Sequence, residues 1–191
     1  MTDDDVEAWL AGLGLPGIVD IHVHAMPDSI QEAVWRHFDG LSEPWPIAYR
    51  APLDTRLATL GRLGVRKFTT LAYAHRPGVA AWLNDFTLTL AGRDPRIVPT
   101  FTFYPEAGVD DYVLGALERG GACVKIHLQV GKFSATDPLL ESVWTLLERR
   151  GVPVVLHAGA VADGSGGEEW CGPEPVHRLL GDHSALRLVI A

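Results

Sequence analysis

The sequence predicts an α/β fold with a parallel sheet. Six short apolar runs, rich in β-branched residues, alternate with five stretches of helical pattern, and this repetition is typical of βαβ units. Glycine follows several of the helical stretches, at Gly64 and Gly151 for example, where a left-handed residue commonly ends a helix. A chain of 191 residues, of which 47% are hydrophobic, can bury one core. We therefore predict a single domain over residues 1–191.

Each predicted element follows from its local pattern. The clearest helix is the fourth, in which Leu139, Val143 and Leu146 recur at helical spacing behind an Asp137-Pro138 start, a residue pair that favours a helix N-terminus. The six predicted strands are Gly17–His24, Val65–Ala74, Arg96–Tyr104, Ala122–Leu128, Val152–His157 and Leu186–Ala191. The five predicted helices are Leu53–Leu63, Val79–Ala91, Asp110–Glu118, Pro138–Arg149 and Pro175–Leu180.

One connection is much longer than the others. Residues 25–51 separate the first strand from the first helix and contain Trp35 and Trp45. Connections of this length usually carry a function, such as covering a binding site. We predict a loop insertion that folds over the site and contributes Trp35 or Trp45 to a substrate pocket; the alternative is that both indoles pack on the helices.

Charge and composition exclude several classes of partner. The formal net charge of −8 argues against nucleic acid, which requires clustered lysine and arginine. No apolar run has membrane-spanning length, and the acidic first residues do not resemble a secretion signal. Two cysteines without CxxC spacing favour a reducing compartment. We expect a cytoplasmic protein that acts on a small molecule, with a homo-oligomer as an open alternative.

The first predicted strand ends in a pair of histidines. Because side chains alternate along a strand, Asp20, His22 and His24 share one face, and Val19, Ile21 and Val23 share the face that packs under helices. Two imidazoles spaced i, i+2 at the carboxyl end of a parallel strand can bind one metal ion. The alternative is two unrelated histidines.

Other strands bring further histidines to the same edge. The second, fourth and fifth predicted strands end at or beside His75, His127 and His157, and active sites of parallel barrels lie at the carboxyl ends of the strands. Lys125 lies on the same face of the fourth strand as His127. A lysine inside a sheet must be paired, neutral or modified, and a bridge to Asp20 is one alternative. His157 could instead be a buried histidine bonded to backbone.

These motifs resemble the amidohydrolase superfamily. The segments VDIHVH, VKIHLQVGKFSATDP and VPVVLHAG match it in order, closest to the amidohydrolase-related branch that contains enzymes similar to aminocarboxymuconate-semialdehyde decarboxylase. The resemblance implies a (β/α)8 TIM barrel, with His22, His24 and His157 as metal ligands. It also implies a histidine ending strand six and an aspartate ending strand eight, and neither is present. We therefore expect the chain to be the N-terminal two-thirds of a barrel, truncated after strand six and inactive alone.

The resemblance implies a metal-dependent hydrolase of an amide, ester or lactone, or alternatively a decarboxylase. All-nitrogen ligation favours one Zn²⁺, with Mn²⁺ or Fe²⁺ as alternatives. We expect Lys125 to act as a nearby charge rather than as a carboxylated bridge between two metals, and His127 to contact substrate or metal. His75, Tyr104 and Trp35 are the predicted substrate-binding residues. The rival hypotheses are a phosphatase or nuclease on a similar barrel, and a metal-binding fragment without catalysis.

Overall fold

The computed structural model describes residues 2–41, 46–159 and 167–191. Its strands are all parallel and follow one another in space in the order of the chain. This order is typical of a barrel, since doubly wound sheets reverse direction from a central strand. The strands are β1 (Ile18–Asp20), β2 (Val65–Thr69), β3 (Ile97–Val98), β4 (Thr100–Phe101), β5 (Cys123–His127), β6 (Val154–His157) and β7 (Leu188–Ile190).

Pro99 divides the third predicted strand into β3 and β4. Proline has no backbone N–H to donate to a sheet, and the hydrogen-bonded ladder is broken at this residue. The carbonyl of Pro99 still accepts the backbone N–H of Ala122 at 2.8 Å. The chain therefore runs without a turn from the three-stranded sheet of β1, β2 and β3 into the four-stranded sheet of β4 to β7.

Helices connect the strands, as predicted. They are α1 (Val6–Gly12), α2 (Asp28–Asp39), α3 (Leu53–Arg62), α4 (Ala80–Ala91), α5 (Val109–Glu118), α6 (Leu128–Gly131), α7 (Glu141–Arg150), α8 (Glu168–Cys171) and α9 (Pro173–Asp182). Asp137 caps the turn before α7 by accepting the backbone N–H of Leu139 at 3.0 Å, and Gly151 ends α7 with a φ of 61°. None of the helices in the described part of the chain is both long and apolar enough to cross a bilayer.

The predicted loop insertion between β1 and α3 contains a helix that the sequence analysis did not identify. Residues 28–39 form α2. Ile30, Val34 and Phe38 recur every four residues on this helix, so they lie on one side of it. The helix buries none of its residues fully, because that side lines cavities rather than a packed core.

The first strand is also shorter and less covered than predicted. Val23 packs against the buried cluster under α3, as expected. Val19 and Ile21, expected to pack beside it, are 65% and 51% exposed. The reason is that β1 pairs only with β2 among the described strands, so no neighbouring strand or helix covers its other side.

Candidate metal centre

The side chains at the carboxyl ends of the strands surround a cavity of about 540 Å³. One wall comes from the sheet and the segments directly after its strands, and the other comes from α2 and residue 47. The sheet side contributes mostly nitrogen-bearing side chains, namely His22, His24, Lys125, His127 and His157, together with Tyr73. The cavity therefore brings together the three predicted metal ligands and both predicted catalytic residues.

His24 is held as a neutral imidazole. Its Nδ1 lies 2.9 Å from the carbonyl oxygen of Leu71, and because a carbonyl can only accept, Nδ1 carries the proton. Burial is the main cause that lowers the pKa of His24 to about 4, and the charge of Lys125 adds to it. At neutral pH the Nε2 lone pair of His24 is therefore available, which is the arrangement found in metal-binding histidines.

His22 lies next to His24 at the edge of the cavity. The two ring centroids are 5.1 Å apart. Asp20, the last residue of β1, accepts the backbone N–H of His22 at 2.9 Å and so fixes the segment that follows the strand. Partial burial, followed by the charge of Lys125, lowers the pKa of His22. This imidazole is also neutral at physiological pH.

His157 stacks on His127 because the two residues are direct partners in the register of β5 and β6. Their ring centroids are 3.9 Å apart. Burial, and then the charges of Lys125 and His22, lower the pKa of His157. His157 forms a hydrogen bond with the Gly159 backbone, as the alternative of a backbone-bonded histidine expects. Its Nε2, however, is buried without a hydrogen-bond partner among the described residues.

Lys125 is fully buried, at 0% exposure. Its Nζ has no hydrogen-bond partner in the described part of the chain, and Asp20, the carboxylate considered as its partner, bonds to the His22 backbone instead. Burial lowers the pKa of Lys125 to about 8. The amino group thus faces the cavity with unused hydrogen-bonding capacity, close enough to the histidines to lower their pKa values.

The chemistry of these side chains fits a divalent metal ion, but in this structure they do not converge on one point. Neutral imidazoles are preferred zinc ligands, and the Nε2 atom of His157 is buried with its lone pair unused. As placed, however, no three His, Cys, Asp or Glu side chains of the described residues form a group that could hold an ion. Convergence on one ion therefore requires side-chain rotation.

The three predicted substrate-binding residues have different positions. Trp35 of α2 lines the metal-site cavity, and His75 lines a second cavity beside it. Tyr104 lines neither. Its hydroxyl donates to the Gly131 carbonyl at 3.0 Å and its ring packs on Phe133, so both form packing contacts, and its role in substrate binding stays a prediction. Trp45 lies outside the described residues.

Sequence reasoning missed Tyr73, which lies between two site histidines. Its ring is 5.9 Å from that of His24 and 4.8 Å from that of His127. The alternation of the second predicted strand places Tyr73 on the same face as His75, and that pattern could have identified it. The α2 residues of the cavity wall were missed as well, because the helix itself was not predicted.

A parallel sheet ordered as in a barrel, with histidines and a buried lysine at its carboxyl edge, is the arrangement of a TIM barrel with a candidate active site at the usual edge. Residues 19–191 match the family model described as Amidohydrolase. The chain therefore belongs to the amidohydrolase family, as the motifs predicted. A comparison with curated proteins finds no match.

Solved structures confirm the fold. An uncharacterised TIM-barrel protein from Bordetella bronchiseptica superposes with a TM-score of 0.68 at 18% identity, covering 91% of this chain and 66% of its own. An amidohydrolase II gives 0.65 at 18% identity, covering 89% and 65%. The 4-oxalomesaconate hydratase of Rhodopseudomonas palustris gives 0.53 at 16% identity, covering 91% and 62%. The chain thus spans slightly less than two-thirds of the length of these structures, and the likeness concerns the fold alone.

Proposed function

We propose that this protein is a metal-dependent hydrolase that cleaves an amide, ester or lactone bond of a small molecule. His22, His24 and His157 would bind one divalent ion, with zinc preferred because all three ligands are nitrogen. The observation that carries the proposal is the pair of unused nitrogens on one cavity wall. His24 is fixed with Nε2 unprotonated by its bond to Leu71, and the Nε2 of His157 is buried without a partner.

When bound, a divalent ion supplies Lewis-acid chemistry, polarising a carbonyl group and acidifying a water molecule. The protein's own residues supply the rest. The amino group of Lys125 can donate a hydrogen bond to a substrate oxygen on which negative charge develops. His127 accepts the backbone N–H of Val130 at Nδ1 and lines the cavity, where its ring can contact a substrate. Trp35 and the rest of α2 cover the cavity and exclude water.

Metal content tests the ligand set directly. We expect about one divalent ion per chain in a protein that carries the complete barrel, loaded with zinc, dialysed and measured by elemental analysis, and weaker binding by the 191-residue chain. His22→Ala and His157→Ala should each lose most of this metal. His177→Ala, which removes an exposed histidine of α9, is the matched control and should retain it. Undiminished metal in either site variant would remove that residue from the ligand set.

The second candidate is a decarboxylase of the same family. The lining of the cavity is compatible with it: the described residues there offer nitrogen-bearing side chains, and loss of carbon dioxide requires no attacking water. Lys125 and His127 would then stabilise the charge left on the substrate. Turnover in H₂¹⁸O by a protein that carries the complete barrel separates the two reactions. Incorporation of ¹⁸O into a product carboxylate indicates hydrolysis, and release of carbon dioxide without it indicates decarboxylation.

A further inference from the structure

A second cavity, of about 440 Å³, adjoins the metal-site cavity. The two share five lining residues from α2, β5 and the segments after β1 and β2, namely Met26, Val34, Phe38, Tyr73 and His127. A molecule with its reacting group at the histidines can therefore extend into the second cavity. We call this space the outer chamber.

The outer chamber has an apolar body and a positively charged side. Ile30, Ala33 and Val130 add to the shared apolar residues. Lys132 supplies an ammonium group, and His37 and His75 supply imidazoles. No aspartate or glutamate of the described residues lines either cavity, although the whole chain carries a formal charge of −8. Acidic residues therefore lie elsewhere, which leaves this region attractive to anions.

The backbone holds Lys132 in an unfavourable conformation. Its φ is 55°, the left-handed region, and it is the only non-glycine residue with positive φ in the described part of the chain. Non-glycine residues in this conformation cluster at ligand-binding sites, and here the conformation also ends α6. Lys132 directly follows α6 and closes it by donating its N–H to the Gln129 carbonyl at 3.1 Å. The ammonium group itself forms no ion pair with a described residue.

We propose that Lys132 is a specificity-determining residue that binds a carboxylate at the far end of the substrate, with the substrate's apolar body in the outer chamber. This proposal rests on the proposed function, because it assumes that the reacting group lies at the histidines. A single flexible ammonium suits a singly charged carboxylate. Phosphate sites usually combine several backbone N–H groups or an arginine fork, and the outer chamber has no arginine in its lining.

Binding of two matched probes tests the proposal without any turnover. The 191-residue chain is stripped of metal with a chelator and titrated calorimetrically with 4-phenylbutyrate and with the neutral 4-phenylbutanamide. We expect the carboxylate to bind at least tenfold more tightly than the amide. Lys132→Met should reduce this preference to less than threefold while leaving the amide unchanged, and Lys132→Arg should retain it.

Three further variants control for misfolding, for general charge effects and for binding outside the outer chamber. Lys132→Asn removes the charge with a residue that tolerates positive φ, so it covers the case in which Lys132→Met fails to fold. Arg149→Met removes an exposed charge at the end of α7, at the opposite edge of the sheet, and should leave the preference intact. Ala33→Trp fills the outer chamber and should abolish binding of both probes.

Three outcomes would overturn the proposal: equal affinity for the two probes, a preference that survives in both neutral Lys132 variants, or no binding of either probe. The second outcome would indicate that Lys125, rather than Lys132, binds the carboxylate. Because the titration is performed without metal, a failure here is distinct from a failure of the metal-content experiment, which concerns the hydrolase proposal alone.

Discussion

Lys125 carries an amino group into the interior without a hydrogen-bond partner among the described residues. An unsatisfied buried polar group destabilises a protein, and its replacement by an apolar side chain of similar shape removes that cost. We predict that Lys125→Met raises the free energy of unfolding of the metal-free chain by about 1–3 kcal/mol, measured by urea denaturation. In a protein that carries the complete barrel, activity should fall at the same time, because functional groups are commonly retained at the expense of stability.

Replacement of Lys125 by alanine decides its role towards metal. As a nearby charge, Lys125 can be replaced without a change in metal stoichiometry. Two metal ions per wild-type chain, reduced in Lys125→Ala and restored by short carboxylic acids, would show instead that the lysine bridges them. A loss of stability in Lys125→Met would contradict the first prediction and indicate a partner for Nζ.

At the residue scale, the positions of the histidines at or just after the predicted strand ends were enough to predict the cluster of site side chains. His22, His24 and His157 are on one cavity wall because parallel strands end at a common edge, and that rule can be read from a sequence. The tether between His24 and Leu71 could not be predicted, since it depends on the path of the chain beyond β2. The position of Tyr104 outside the two cavities could not be predicted either, because its hydroxyl bonds to Gly131, a residue distant in sequence.

Among the elements, α2 depends on one arginine of α3 for its position. Arg56 donates to the backbone carbonyls of His24 and Met26 and to the side chains of Gln31 and Asp28, and its Nε donates to Ala51. Asp28 in turn accepts the backbone N–H of Leu53 at 2.9 Å. All five guanidinium donors are used, and they connect the β1 end, α2 and α3.

We predict that Arg56→Lys loosens α2 over the cavity. Lysine offers its donors from one point and cannot reproduce the planar fork, so several of these bonds are lost. Hydrogen–deuterium exchange of the α2 amides should accelerate at least tenfold, and the unfolding midpoint should fall. Arg62→Lys, which alters an exposed arginine of the same helix bonded only to Thr59 among the described residues, is the control. Equal exchange in both variants would contradict the role assigned to Arg56.

The connection between α4 and β3 is held by an ion pair with a defined pH dependence. Arg96 donates to the Asp94 carboxylate at 2.6 Å and to the Leu57 carbonyl of α3. Its hydrogen bonds to the Asp94 carboxylate are the main reason that the pKa of Asp94 lies below its ordinary value. A carboxyl group with a lowered folded pKa stabilises the fold above its unfolded pKa, about 3.9, and this contribution is lost as the pH falls.

Asp94→Asn should therefore lower the urea midpoint at pH 7 and pH 5 by similar amounts. The difference from wild type should narrow as the pH falls below about 4. Asp85→Asn is the control, because the ion pair of Asp85 with Arg119 is largely exposed and such pairs contribute little. A difference that stays constant down to pH 3 would show that the stabilisation by Asp94 does not depend on its charge.

Elements with a regular pattern and clear ends were predictable, whereas irregular ones were not. The helix predicted at Leu53–Leu63 is observed at Leu53–Arg62, because proline before it and glycine after it fix its ends. The helix α2 was missed although Ile30, Val34 and Phe38 have helical spacing. The helix lies in a long connection rich in proline and tryptophan, a composition that predicts a loop, so the helical spacing was not recognised. The strand split at Pro99 was readable from the lack of an N–H in proline.

For the whole molecule, the two outermost described strands determine solution behaviour. Both β1 and β7 have a strand neighbour on one side only, and their outward residues are apolar, with Val19 65% and Ile190 59% exposed. A strand edge with unpaired backbone groups and exposed apolar side chains is a template for association. The order of the strands was predictable from the βαβ repeat, but the exposure of these edges depends on what covers them.

We predict that the isolated 191-residue chain self-associates through these edges. Sedimentation velocity at increasing protein concentration should show species larger than the monomer, because each copy can pair its free edge with another. The double variant Val19→Lys and Ile190→Lys should be monomeric, since charged residues on edge strands oppose pairing. Leu139→Lys, which places the same charge at a residue that is 53% exposed and on no strand, should still associate. A wild-type chain that remains monomeric at all concentrations would contradict the prediction. Association that survives the double variant would show that another surface mediates it. The exposed Trp9 and Leu13 of the N-terminal region are the first residues to test in that case.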